Sequence, residues 1–155
     1  MEYRKATIDD AEQIAKLLMD CFNVKSIEEG KEIFIRERKR DEVIVAEKDG
    51  TLHGIVSWFM RGEPKHQLIR IERLCALAGP ERDEVAEGLL KTAIQDADKF
   101  FKKLGLKLRK IYTLVRSTNN KLKNFYKEKG FIEEAVIKDH YYKGEDEFVL
   151  SMFME

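Results

Sequence analysis

Apolar residues in this chain change their spacing repeatedly, from the two-residue alternation of strands to the three- and four-residue steps of helices, and the order of those changes constrains the fold more than any other feature. Tyr3 to Ala6 reads as a short strand. Thr7 with Asp10 three residues on has the form of a capping box, and Ala11, Ile14, Ala15, Leu18 and Phe22 then share one helical face. Ser26 with Glu29 repeats the signal and opens a second helix through about Lys39, with Ile27, Gly30 and Phe34 on one side. Val43 to Ala46 and Ile55 to Met60 are β-rich runs joined through Asp49-Gly50, the dipeptide favoured where a hairpin turn needs positive φ. Leu68 to Leu77 reads as a further strand, ended by Ala78-Gly79-Pro80. Val85, Leu89, Ala93, Ala97, Phe100 and Leu104 line a long helix, for which Gly105 supplies a left-handed cap. Leu108 to Val115 alternates as a strand, Asn119 to Lys129 carries Leu122, Phe125 and Tyr126 at helical spacing before Gly130, and strands at about Ile132 to Lys138 and Glu147 to Met154 follow. The order β-α-α-β-β-β-α-β-α-β-β predicts an α/β fold of the α+β kind, one mixed central β-sheet flanked by helices.

At 155 residues the chain suits a single domain over 1–155 with a sizeable core. Its 29 basic and 29 acidic side chains balance, and 43% apolar residues are too many for a disordered chain. The longest stretch free of charge, Thr51 to Met60, is far short of the ~20 apolar residues that span a bilayer, which argues against membrane partners. The start, MEYRKATIDD, lacks the apolar core of an export signal, so a cytoplasmic location is expected. Cys21 and Cys75 each sit in an apolar run and read as free, buried thiols, with no metal-ligand spacing around them. His53 and His66 read as surface histidines. Charge is uneven along the chain: eleven basic residues and one acid, Glu128, lie between Lys99 and Lys129. Such a run attracts polyanions or a phosphate-rich cofactor, but no nucleic-acid-binding motif accompanies it and the overall charge is zero, which argues against nucleic acid as the partner.

The segment NNKLKNFYKEKGF, Asn119 to Phe131, resembles the N-x-x-A-x-x-L-Y-x-x-x-G-F motif of the GNAT acetyltransferase superfamily. Asn119, Tyr126, Gly130 and Phe131 match in register, Phe125 replaces Leu, and Leu122 stands where Ala is usual. The element order resembles that family over essentially the whole chain. The resemblance implies that the fourth and fifth strands, Leu68 to Leu77 and Leu108 to Val115, splay apart and receive acetyl-CoA as co-substrate. It implies contact with the cofactor along Leu74 and Ala76, at the long helix through Arg82, Glu84, Val85 and Ala86, and near Asn119 and Phe125. Tyr126 takes the family's place for the acid that protonates the departing thiolate, Glu72 is a candidate general base, and His140 and Tyr141 are candidates for contact with the acceptor.

The family's second signature, Q/R-x-x-G-x-G/A, is altered here. Glu81 stands at the Gln or Arg position, Glu84 at the first Gly, and only Ala86 agrees; Arg82 reads as a displaced version of the usual Arg. Backbone N–H groups at a helix start favour phosphate, whereas a carboxylate about 5 Å from a phosphate charge repels it by roughly 3 kcal/mol at an effective dielectric of ~20. Two readings stay open on this sequence. One is an acetyl-CoA-dependent N-acetyltransferase that passes the acetyl group directly to a primary amine of a small molecule or peptide. The other is a catalytically silent module with a degenerate pyrophosphate loop. The terminal strands, with Phe148, Leu150, Met152 and Phe153, either pair across a homodimer or finish the sheet.

Overall fold

In the computed structural model, residues 1–154 are described and form β1 (Glu2–Lys5), α1 (Ala11–Cys21), α2 (Ile27–Glu37), β2 (Glu42–Lys48), β3 (Thr51–Arg61), β4 (Leu68–Ala76), α3 (Arg82–Lys103), β5 (Lys110–Arg116), α4 (Asn120–Glu128), β6 (Ile132–Tyr142) and β7 (Glu145–Phe153), with single 3-10 turns at Ile8–Asp10 and Pro64–His66. This is the expected order. The strands form one seven-stranded, mostly antiparallel sheet in the order β1-β2-β3-β4-β5-β7-β6, flanked by helices. The described residues divide into two compact units, one of residues 1–59 and 73–99, the other of residues 60–72 and 100–154, so β3, β4 and α3 each contribute to both.

In the first unit the predicted caps are made. Asp10 accepts from the Thr7 N–H at 2.7 Å, and Ser26 accepts from the Glu29 N–H at 3.0 Å. Asp49 and Gly50 both take positive φ, 52° and 80°, and fold β2 onto β3. Val43, Val45, Leu52 and Ile55 from these strands meet Ile14, Leu17, Leu18 and Phe34 from α1 and α2 in one apolar cluster. Gly30 lets the two helices approach, because a Cβ there would lie 2.7 Å from the Ala15 Cα. The expectation of free thiols is corrected by the packing. Cys21, the last residue of α1, is joined to Cys75 of β4 as a disulfide with Cα atoms 6.0 Å apart. Both are apolar-run residues, and only the placement of α1 over the end of β4 makes them neighbours; their spacing in sequence carries no sign of it.

In the second unit, β4 and β5 run parallel over four registered pairs, from Leu68–Lys110 to Ile71–Thr113, while β5 pairs with β7 along its whole length. Ile69, Ile71, Ile111, Val115 and Leu150 bury one face of this sheet together with Phe101, Tyr126 and Phe131. Gly105, at φ 72°, ends α3 with the Leu106 N–H bonded to the Phe101 carbonyl at 2.9 Å, the expected left-handed cap. β6 extends four residues beyond its predicted end. Asp139, at φ 46°, and an irregular register between Ile137 and Tyr142 break the alternation on which the shorter prediction rests.

Asp10 ties the first strand to the first helix. Its carboxylate, on a residue only 6% exposed, accepts from both terminal nitrogens of Arg4 at 2.8 and 2.9 Å, and Arg4 in turn holds Glu47 of β2. Asp10→Ala is expected to cost about 1.5–3 kcal/mol in urea unfolding, because it strands a charge-assisted network. The Arg4 guanidinium lowers the Asp10 pKa. The contribution of this pair is therefore fully present above the ordinary carboxylate range and lost as pH falls through the depressed value, and Asp10→Ala should flatten that acid limb.

Candidate active site

The residues between β5 and α4 turn the chain out of the sheet, and Asn119 starts the helix by accepting the Leu122 N–H at 3.1 Å. Asn119 is thus engaged as a cap. The α4 face that carries Phe125 and Tyr126 is set by the helical period, and Gly130, at φ 100°, stops the helix so that Phe131 returns against Tyr126 with ring centroids 4.9 Å apart. Phe125 is half-buried, its ring 5.6 Å from that of Tyr126.

Tyr126 is the deepest of the sequence-predicted site residues, with 1% of its surface exposed. Burial raises its pKa well above the ordinary phenol value, with the nearby Thr113 hydroxyl opposing it, so the hydroxyl keeps its proton throughout the neutral range. Thr113 donates to the Ile71 carbonyl at 3.0 Å. The phenol therefore lies near the threonine that closes the last registered pair of β4 and β5. Sequence reasoning misses Thr113, whose one signal is its polarity at a buried position of an alternating strand.

Glu72 lies one residue further along β4, on the opposite face from Ile71 by the strand's alternation. Arg70, two residues before it on the same face, brings its Nε to 3.3 Å from Glu72 Oε2 and donates from Nη2 to the Tyr141 hydroxyl at 2.9 Å. His140 and Tyr141 project from the end of β6 with ring centroids 4.5 Å apart. Glu72 and Tyr141 are thus brought together through Arg70, whose charge is favoured by both against the penalty of burial. Tyr126 stands apart from this group, on the other face of the sheet.

In the first unit, Leu74, Ala76 and Val85 are buried in the core, so any ligand contact at these three positions is made by backbone. Val85 and Leu89 press on β3 at Gly54, where a Cβ would lie within 3.0 Å of both side chains. Arg82 opens α3, Ala86 is half-buried and Glu84 is exposed. Glu81 is bound by Lys48 at 2.9 Å, and this partner holds its carboxyl below the usual range.

Residues 11–131 match the acetyltransferase (GNAT) family. No curated protein matches the chain in sequence. Among solved structures it is similar to a mutant of spermidine N-acetyltransferase from Vibrio cholerae, at 18% identity and TM-score 0.77, over 99% of this chain and 95% of that one. It is similar also to ribosomal-protein-alanine N-acetyltransferase from Brucella melitensis, at 16% identity and TM-score 0.76, over 99% and 100%. A third is the aminoglycoside 6'-N-acetyltransferase from Enterococcus faecium, at 13% identity and TM-score 0.74, over 99% and 97%.

Thr113→Val keeps the shape of the side chain and removes the hydrogen bond to Ile71. With that buried donor lost, the variant is expected to lose about 0.5–1.5 kcal/mol in urea unfolding. An unchanged midpoint would mean that the Ile71 carbonyl finds another donor.

Proposed function

The chain belongs to the GNAT acetyltransferase family, and on that premise we propose that this enzyme transfers an acetyl group from acetyl-CoA directly to a primary amine on a small molecule or peptide. The observation that carries the reading is the buried phenol of Tyr126 near Thr113, whose hydroxyl donates to Ile71 where the β4–β5 ladder stops although both strands continue. A proton donor held at the end of a ladder suits a thioester whose amide arm adds to the free edge of β4.

The start of α3 is compatible with a pyrophosphate. Lys48 offsets the charge of Glu81, Arg82 supplies a cation, and Glu84 is exposed and able to turn toward water. Acetyl-CoA supplies an activated acyl carbon. The amine forms its new bond to that carbon as the bond to sulfur breaks; the nitrogen gives up one proton and the sulfur takes one, so no further reactant is needed. Tyr126 donates to the sulfur. Its raised pKa makes it a hydrogen-bond donor first, and complete transfer to a thiolate, with a thiol pKa near 8.5, becomes easier once ligand contacts replace the apolar burial. Glu72 accepts the amine proton through water, and Arg70 keeps its carboxylate in place. His140 and Tyr141 border the acceptor. The spermidine and aminoglycoside N-acetyltransferases among its structural neighbours support a small polar amine as acceptor.

No helix is long and apolar enough to cross a membrane. The reading places the enzyme in the cytoplasm. β7, with Phe148, Leu150, Met152 and Phe153, pairs with β5 on one side and β6 on the other and so finishes the sheet instead of meeting a second copy; a homodimer in this reading uses β6, the end strand, which exposes Ile132 and Val136. The alternative, a silent binding module, is favoured by Asp83 and Glu84 in the first turn of α3, where a phosphate would sit.

Two measurements separate these readings. Calorimetric titration should give micromolar affinity for acetyl-CoA that weakens as salt rises, whereas no binding up to millimolar cofactor would favour the module. Tyr126→Phe should lower kcat by about 100-fold or more while acetyl-CoA affinity stays within about threefold, as expected for loss of a proton donor. Equal turnover would remove Tyr126 from the chemistry and leave it a core residue.

A further inference from the structure

The first residues of β4 and β5, Leu68 and Lys110, pair with each other, and Lys110 pairs with Phe153 at the end of β7, so three strand ends meet at one end of the second unit's sheet. Hydrogen bonds lace the chain together there. The Arg109 N–H donates to the Gln67 carbonyl at 2.9 Å, the Met154 N–H donates to the Arg109 carbonyl at 2.7 Å, and the Arg109 guanidinium donates to the His66 carbonyl at 3.2 and 3.1 Å. The last turn of α3 runs into the same end through residues 104–109. Among the described residues of these segments, 63–67, 100–109 and 153–154, Lys65, Lys102, Lys103, Lys107 and Arg109 are all exposed, and Glu63 is the one acid. Glu63 lies 3.4 Å from Lys65, which leaves the excess positive.

Apolar side chains stand out from the same segments, Leu104 with 51% and Phe153 with 52% of its surface exposed. A single exposed apolar residue needs no explanation, but apolar tips set among lysines are the pattern of a surface that lies in a lipid headgroup layer. A nucleic acid calls for different chemistry, because its bases stack on open ring faces. Leu104 has no ring, the Lys110 ammonium sits over the Phe153 ring at 4.9 Å from its centroid, and Phe100 packs edge to face with Phe101, centroids 5.1 Å apart. The one guanidinium of the group, which could grip a phosphate with two donors, is committed to the His66 carbonyl. The four lysines are point charges on flexible stems, and those suit a fluid layer of phosphates.

We propose that this end of the second unit docks on an anionic phospholipid bilayer, with its lysines against the headgroup phosphates and the Leu104 and Phe153 side chains sunk among the headgroups. The contact lies on the membrane and needs no spanning segment. Charge complementarity selects the occupant. A zwitterionic surface offers no net negative charge, whereas an anionic one gains roughly fivefold in affinity for each cation brought near it. Thr113 stands three residues along β5 from Lys110, roughly 10 Å at the rise of a strand, so the docked end is set apart from the candidate active site. Acetyl transfer has no part in the docking.

Vesicle flotation of the full chain tests the docking without any assay of acetyl transfer. Vesicles of equal parts phosphatidylcholine and phosphatidylglycerol should bind the protein at least about tenfold more tightly than vesicles of phosphatidylcholine alone, and the binding should weaken as salt rises. Lys103→Glu combined with Lys107→Glu should lower that affinity by about 25-fold or more. Leu104→Ser combined with Phe153→Ser should lower it by about fivefold or more and keep the salt dependence. All four positions are exposed, and thermal melting checks that each variant is folded. No flotation with either vesicle, equal binding to both, or undiminished affinity in either folded double variant would overturn the docking. Binding of a single-stranded oligouridylate without binding to either vesicle would overturn it as well and give this end to a nucleic acid.

Discussion

Thr113 joins two strands through its hydroxyl. By donating to Ile71 it closes the last pair between β4 and β5, and the buried Tyr126 of the helix that follows lies near it. A strand carbonyl at the end of a ladder needs a donor, and the threonine supplies it from within an apolar face. The rings of Phe131 and Phe125 then close around Tyr126 and hold its orientation without adding a competing polar group. What would otherwise be a core tyrosine is thereby aimed at the place where backbone pairing gives out.

The two faces of the second unit's sheet are used differently for the same physical reason. Ile69, Ile71, Ile111, Val115 and Leu150 leave one face apolar, and there the hydroxyls of Thr113 and Tyr126 are the polar exceptions. The other face is ionic, and its long side chains are tied into pairs that fix their positions more than they add stability, since half-exposed ion pairs contribute little. Arg70 is the most constrained of these, bound by a carboxylate on its own strand and a phenol from β6.

Features that depend on near neighbours along the chain are legible in the sequence. The Thr7 and Ser26 caps, the Asp49-Gly50 turn, the Gly105 and Gly130 stops and the order of all eleven helices and strands are each fixed within a few residues. So is the α4 segment, because a helix that must expose a cap, bury an aromatic pair and end on a glycine has a recognisable spacing. Features that depend on register are not legible in this way. Cys21 and Cys75 are 54 residues apart and read as ordinary apolar positions. Thr113 reads as one polar residue in an alternating strand, and Glu147 as the first residue of the last one. Only the pairing of β5 with β7 reveals that Glu147 lies against Arg116. The irregularity before Tyr142 hides the true length of β6 for a related reason: three extra residues on β6 between Ile137 and Tyr142 invert the alternation from which a strand is read.

The acidic start of α3 shows how far a sequence departure can mislead when charge is counted without geometry. Asp83 and Glu84 favour the positive end of their own helix, so their presence there has a structural motive whether or not a ligand ever binds. Glu81 is no longer a free charge, because Lys48 of β2 holds it. What remains at that turn is Arg82 against two carboxylates, one of them on the exposed Glu84. A side chain of that kind rotates into water when an anion arrives, and loses mainly the small benefit it gave the helix. The backbone N–H groups of the first turn cannot rotate away, and they are what a phosphate bonds. The loss of glycine from this turn therefore restricts how closely a ligand approaches more than it abolishes the donors, and affinity at the site becomes a question of distance before it is one of charge.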